Sequence, residues 1–329
     1  MKRIKDVAKE AGVSVATVSR VLNGSDAVKV ETQRKVKEAV RRIGYSPNLL
    51  GRNLRQNKTG IILVMLSTLT NNFCSKVIHG IELAAKKQGY NIMICATGDS
   101  KESEQTYLSF VRNKMADGII ILNSNLTAQE MQMASASFPV VQCSEYVDTE
   151  RTPYVSIDNR KAAYDATINL INSGRKKIVF MGVENNLVSS NLRFLGYRDA
   201  LDEANIPFDE NLIVYGNYGY RNAMRVTEKL IQNNVSFDAL FAISDRMAAG
   251  AMTALKKHDI KIPDDVCVTG FDNTDITYLF EPSISTVSQP QIEMGETAFQ
   301  LLLARIEEET AENIILQHKI ILRDSTKNI

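Results

Sequence analysis

Ser14, Thr17, Ser19 and Arg20 stand close together directly after a Gly12-Val13 turn, and their groups suit a nucleic acid. Hydroxyls there hold phosphate oxygens and fix register, while Arg20 reaches a guanine edge or a phosphate. The apolar Val15 and Ala16 lie among them, placed to press against base edges, and Asn23 closes the segment. A second group recurs just after apolar runs. Asn72 and Phe73 follow Ile61 to Ser67, Ser144 and Glu145 follow Pro139 to Cys143, Ser244 and Asp245 follow Leu240 to Ile243, and Asp272 lies in GFDN. With Arg193, in NLRFLGYRDAL, Asp272 can share the hydroxyls of a sugar-like ligand, the guanidinium as donor fork and the carboxylate as acceptor. Blander readings stand beside these. Asp245 can cap a helix from Met247 to Lys257, Asp272 can close a turn with Asn273, and Arg193 can form a salt bridge at a helix start. The three histidines, 79, 258 and 318, have no metal-ligand spacing, and no nucleophile elbow or Walker loop occurs. Neither catalysis, a metal nor a cofactor is expected.

Elements must hold the first group in place. Ile4, Val7, Ala8 and Ala11 recur at helical spacing up to Gly12, and Ser14 can cap a second helix from about Val15 to Leu22. Val18, Val21 and Leu22 would face the first helix, leaving Val15, Ala16, Ser19 and Arg20 outward. Two short helices around a tight Gly turn make a helix-turn-helix, whose second helix enters the major groove. A third helix, about Val30 to Ile43, closes the small core with Val36, Ala39, Val40 and Ile43. Charge agrees with this division. Residues 1–58 carry 14 Lys and Arg against 5 Asp and Glu, whereas the rest carries 25 against 33. A basic head on an acidic body is the footprint of a nucleic-acid-binding module joined to something else.

In the body, β-rich apolar runs alternate with amphipathic stretches such as Cys74 to Gln88, Arg160 to Asn172, Arg193 to Ala204 and Ala223 to Asn233. Alternation of this kind argues for open parallel sheets covered by helices on both sides. About ten strands exceed one comfortable sheet, so two lobes are expected, with ligands held where the carboxyl ends of the strands meet. No apolar run approaches the roughly 20 residues of a membrane span. The charged start lacks the features of a secretory signal, so a cytoplasmic protein without membrane contact is expected. Cysteines 74, 95, 143 and 267 form no CxxC pair and read as reduced thiols.

The stretches IKDVAKEAGVSVATVSRVLNG and IGYSPNLLGRNLR resemble the head and hinge of the LacI/GalR family of bacterial regulators, and the resemblance extends through the body. It implies an all-α helix-turn-helix headpiece joined to an α/β two-lobed periplasmic-binding-protein-like domain with two doubly wound parallel sheets. It implies a headpiece at 1–46, a hinge at 47–58, an N-terminal lobe at 59–158 plus 289–318 and a C-terminal lobe at 159–288 plus 319–329. It further implies a homodimer on a pseudo-palindromic double-stranded operator, with Leu54 of the hinge wedged into the minor groove and Arg52 near phosphates. Gly51 and Asn53 stand where the family usually has Ala and Ser, Lys29 where a capping Ser is usual, and Gln33 where Arg is usual. Phe73, Arg193 and Asp272 match effector-contact positions, and Tyr218 falls near one where an aromatic ring covers the ligand. Ser-Glu-Tyr at 144–146, Ser-Asp at 244–245 and GFDNTDIT at 270–277 are most similar to the cytidine-responsive branch, which implies a nucleoside effector, with a sugar or sugar phosphate next. A protein co-repressor, as in catabolite-control members, or a stand-alone solute-binding role are the rival expectations.

Overall fold

The computed structural model describes residues 3–22, 27–45, 58–185 and 187–326, which fall into two compact units, the first ending at Thr59 and the second beginning at Gly60. In the first unit, helices α1 (Ile4–Ala11), α2 (Val15–Leu22) and α3 (Val30–Ile43) bury Val7, Val18 and Val36 completely. Gly12 ends α1 at a φ of 65°, a left-handed conformation that costs a residue without a Cβ little. Ser14 then caps α2, its Oγ accepting the Thr17 amide at 3.0 Å. Lys29 offers α3 no side-chain cap, and Gln33 ties the helix start to the preceding turn by donating Nε2 to the Val28 carbonyl at 2.8 Å.

The second unit is α/β. Its strands are β1 (Ile61–Leu66), β2 (Asn91–Ala96), β3 (Gly118–Ile121), β4 (Val140–Cys143), β5 (Tyr154–Ile157), β6 (Ile178–Val183), β7 (Ile213–Gly216), β8 (Ala239–Ala242), β9 (Cys267–Asp272), β10 (Ser285–Ser288), β11 (Ile314–Leu316) and β12 (Lys319–Ile321). They form two six-stranded sheets, ordered β11-β5-β4-β3-β1-β2 and β12-β10-β9-β8-β6-β7. Every recorded pairing is parallel except β12 against β10. We call the two layers the N-lobe and the C-lobe. Central strands such as β3, β4 and β8 are buried along their whole length, as parallel strands covered on both faces must be, whereas the edge strand β2 is largely exposed.

The covering helices are α4 (Asn72–Lys87), α5 (Lys101–Arg112), α6 (Ala128–Ser137) and α12 (Gln291–Ile306) on the N-lobe. On the C-lobe they are α7 (Asn159–Asn172), α8 (Val188–Glu203), α9 (Tyr220–Gln232), α10 (Asp245–Lys257) and the short α11 (Ile276–Leu279). Helices α7 and α8 nest because Gly196 has no Cβ, which would stand 2.0 Å from the Arg160 carbonyl oxygen. Helix α8 begins at Val188, five residues before the start that the periodicity around Arg193 suggests. Its first turn is polar because it faces a cleft and not the core, which hides the helix from an apolar-spacing argument.

Candidate functional site

In the second unit, contacts such as Glu145 to Ser189 and Lys76 to Asp275 join the carboxyl ends of the two sheets across a cleft, and four of the polar residues expected to act there, Glu145, Arg193, Tyr218 and Asp272, lie close to one another. Backbone geometry at the strand ends is unusual. Ser144 (φ 74°), Tyr218 (φ 59°), Asp272 (φ 104°) and Asn273 (φ 55°) all occupy positive φ without being glycine. Such conformations cost energy and persist only where surrounding contacts impose them, which makes a cluster of them a mark of a functional surface.

Arg193 is the best-held group. It lies in the interior of α8 and is 6% exposed, so it is not a helix-start ion pair. Its Nε donates to Asn159 Oδ1 at 3.0 Å and its Nη1 to the Ile243 carbonyl at 2.7 Å, while the guanidinium stacks 3.6 Å from the Phe271 ring centre. These contacts fix the plane of the fork through Nε and Nη1. Asp272 ends β9. Its Oδ1 accepts from Gln289 Nε2 at 2.7 Å, and its carbonyl accepts from Gln291 Nε2. Burial raises the Asp272 carboxyl above its ordinary value, with Arg193 and the Gln289 bond opposing and Glu145 adding to the rise.

Glu145 enters from the N-lobe, at the end of β4. Its carboxylate accepts from the Ser189 amide at 3.2 Å and from the Ser189 hydroxyl, so its partner belongs to the other lobe. Burial also raises Glu145, against the hydrogen bonds of Ser189 and the charge of Arg193. Tyr218 hydrogen-bonds through its hydroxyl to Ser190 Oγ at 2.9 Å, and burial raises its phenol as well. Phe73, 6% exposed in the first turn of α4, packs into the N-lobe core. Next to it, burial pushes the Cys74 thiol up to about 12, with Asp272 and Glu145 adding to the rise. Lys76 reaches Asp275 at 2.8 Å, a second contact between the lobes.

Four of the expected residues are placed differently. Ser244 caps α10, accepting the Met247 amide at 3.3 Å. Asp245, which the sequence offers as that cap, instead binds neighbouring loops together. Its Oδ2 accepts from the Thr274 amide at 2.6 Å and the Thr274 hydroxyl at 3.0 Å, and its Oδ1 accepts from Thr286 at 2.5 Å. Both oxygens are thus occupied, and burial holds the acid above its ordinary range, with the charge of Asp272 adding to the rise. Asn72 is exposed in the first turn of α4. Ser144 is partly buried, and its carbonyl accepts from Ser156 at 3.0 Å.

Sequence reasoning missed Asn159, Ser189, Ser190, Phe271, Gln289 and Gln291. The signal was available for most of them, since Asn159, the 189–190 pair and the two glutamines also lie shortly after the ends of strands β5, β6 and β10. In the first unit, Val15, Ala16 and Arg20 are exposed on α2, with Ser14 exposed before it, while Thr17 and Ser19 are partly buried. Asn23, Arg52 and Leu54 lie outside the described residues.

Comparison with known proteins fits this division. Residues 3–48 match the family described as bacterial regulatory proteins of the lacI family, and residues 58–324 match periplasmic binding proteins and the sugar binding domain of the LacI family. The catabolite control protein A of Priestia megaterium is 35% identical over 328 residues, covering 98% of this chain and 99% of its own. The HTH-type transcriptional repressor PurR of Vibrio parahaemolyticus is 34% identical over 333 residues, covering all of both chains. Among solved structures, the transcriptional regulator CelR in complex with cellobiose has a TM-score of 0.74 and 28% identity, covering 99% of this chain and 100% of that one.

Proposed function

This chain belongs to the LacI family of bacterial regulatory proteins, and we propose that it is a cytoplasmic repressor that binds a pseudo-palindromic operator as a homodimer, under control of a nucleoside- or sugar-like effector held in the cleft. It is a transcription regulator, as its relatives are. In this reading Val15, Ala16 and Arg20 face bases, Ser14, Thr17 and Ser19 hold phosphates with Asn23 beside them, and Arg52 and Leu54 act in the hinge.

The observation that carries the effector assignment is the fixed Arg193 fork beside two buried carboxylates, Glu145 and Asp272. Glu145 already accepts from Ser189 at each oxygen, so the open acceptor beside the Arg193 fork is the second carboxylate oxygen of Asp272. The matching ligand is therefore neutral and rich in donors, with hydroxyl or amino groups, and carries a ring flat enough to lie between Phe73 and Tyr218. A ribonucleoside such as cytidine has all of these features, and the 144–146, 244–245 and 270–277 motifs favour it over a free or phosphorylated sugar. The cellobiose carried by the CelR complex keeps a sugar in view.

Effector in the cleft changes how the lobes meet, and the change alters the hold on DNA. Operator and effector must then affect each other's affinity by the same factor. The test is to measure operator affinity of the full chain with cytidine, other nucleosides and sugars, at several salt concentrations. A ligand-dependent shift in a salt-sensitive operator affinity is expected. If no genomic fragment is preferred, with or without these compounds, the proposal fails. Control by a phosphorylated carrier protein is the second reading, favoured by the 35% identity to catabolite control protein A. It predicts tighter operator binding when that phosphoprotein, and not a nucleoside, is added.

A further inference from the structure

A pocket of about 690 Å3 opens on the C-lobe at the start of α9, lined among others by Asn217, Gly219, Arg221, Asn222, Arg225 and Arg246. Its size suits a small metabolite, and no carboxylate lines it. The arginines are placed against their own electrostatics. Arg221 and Arg225 are one helical turn apart on α9, where like charges repel. Arg246 is the second residue of α10, at the positive end of the helix dipole, where a cation is disfavoured. None of the three is paired with an acid among the described residues. An anion would relieve all three conflicts at once.

Two further features point the same way. Helix α9, 13 residues long, starts at Gly219 with no side-chain cap, so its first-turn amides have no side-chain acceptor. Asn222, which lines the pocket, has its Oδ1 buried without a hydrogen-bond partner among the described residues, so its amide is not satisfied within the protein. The wall is also fixed, since Tyr220 bonds through its hydroxyl to Thr253 Oγ1 at 2.7 Å. The pocket lining does not include Glu145, Arg193 or Asp272, although the loop before α9 serves both places. Tyr218, between Asn217 and Gly219, sends its hydroxyl to Ser190 in the cleft.

We propose that this pocket is a second ligand site, which takes the phosphate groups of a small phosphorylated metabolite through Arg221, Arg225, Arg246 and the start of α9. The proposal goes beyond the cleft effector and does not depend on its identity. The experiment is calorimetric titration of the full chain with inorganic pyrophosphate at constant ionic strength. Saturable binding is expected, weakened by roughly tenfold or more in Arg221→Gln/Arg225→Gln, as loss of charge-assisted pairs implies. Arg246→Gln should weaken it as well. Arg193→Ala should leave it unchanged, which separates this site from the cleft. A head variant, Arg34→Gln/Arg41→Gln, should leave it unchanged too. Absence of saturable binding, equal binding in the wild type and both pocket variants, or a loss that follows the head or Arg193 variants instead would overturn the proposal. All three pocket side chains are exposed, so an unchanged melting temperature will show that the pocket variants fold.

Discussion

The two lobes present similar parallel sheets to the cleft, yet they prepare their side chains in opposite ways. On the C-lobe, Arg193 is held from within the lobe by Asn159, the Ile243 carbonyl and the Phe271 ring, while Asp272 accepts from Gln289 and Gln291, where the chain crosses into α12 of the N-lobe. These groups are held by protein contacts alone. On the N-lobe, Glu145 finds its hydrogen-bond partner, Ser189, only across the cleft. In the proposed reading, the Arg193 fork selects the ligand, and the N-lobe carboxylate reports whether the lobes have met. Such a division lets ligand chemistry become a change in lobe contact, because one half cannot satisfy its own buried charge.

The sharpest way to break this comparison is Arg193→Ala. Effector affinity should fall by about 100-fold, the loss expected for a buried charge-assisted donor, with operator binding intact in a filter or anisotropy assay. A normal effector response would remove the Arg193 fork from the account. Next comes Asp245→Ala, which strips the acceptor from two threonine hydroxyls and the Thr274 amide. It should cost about 2–4 kcal/mol of stability in chemical denaturation, a structural effect, because buried donors lose their partner. If it abolished effector binding at unchanged stability, Asp245 would belong with the ligand contacts.

Smaller effects test the N-lobe half. Glu145→Gln keeps the size and one acceptor oxygen, and should weaken effector binding by about tenfold. The variant also has a pH signature. Burial raises Glu145 and Asp272 in the folded protein, so the folded state holds protons that the unfolded chain releases. Stability contributed by these groups is full below the ordinary carboxylate range, and is lost as pH rises through their raised values. Glu145→Gln should flatten that slope in melting curves taken from the ordinary carboxylate range upward, and an unchanged slope would show that the carboxylate is solvated. The smallest change is Lys76→Ala. This exposed pair with Asp275 should be worth less than about 1 kcal/mol and should vanish in high salt.

Much of this organisation is legible in the amino-acid order alone. The three head helices, the charge division near residue 58 and the alternation of apolar runs with amphipathic stretches depend on neighbours within a few positions. Helix and strand periodicities report those directly. The strand-end rule also placed Glu145 and Asp272 in one cleft. It could not say which polar groups there are free, because that depends on partners far away in the chain. Asp245 looked like a cap and is instead consumed by Thr274, 29 positions on, and Thr286, 41 positions on. Arg193 gains its fixed fork from a carbonyl 50 positions away, and Glu145 meets Ser189 at a separation of 44. Local composition determined which chemistry the chain carries. Only the packing of one sheet against its helices, and of one lobe against the other, decided which of those groups were already satisfied and which were left for a ligand.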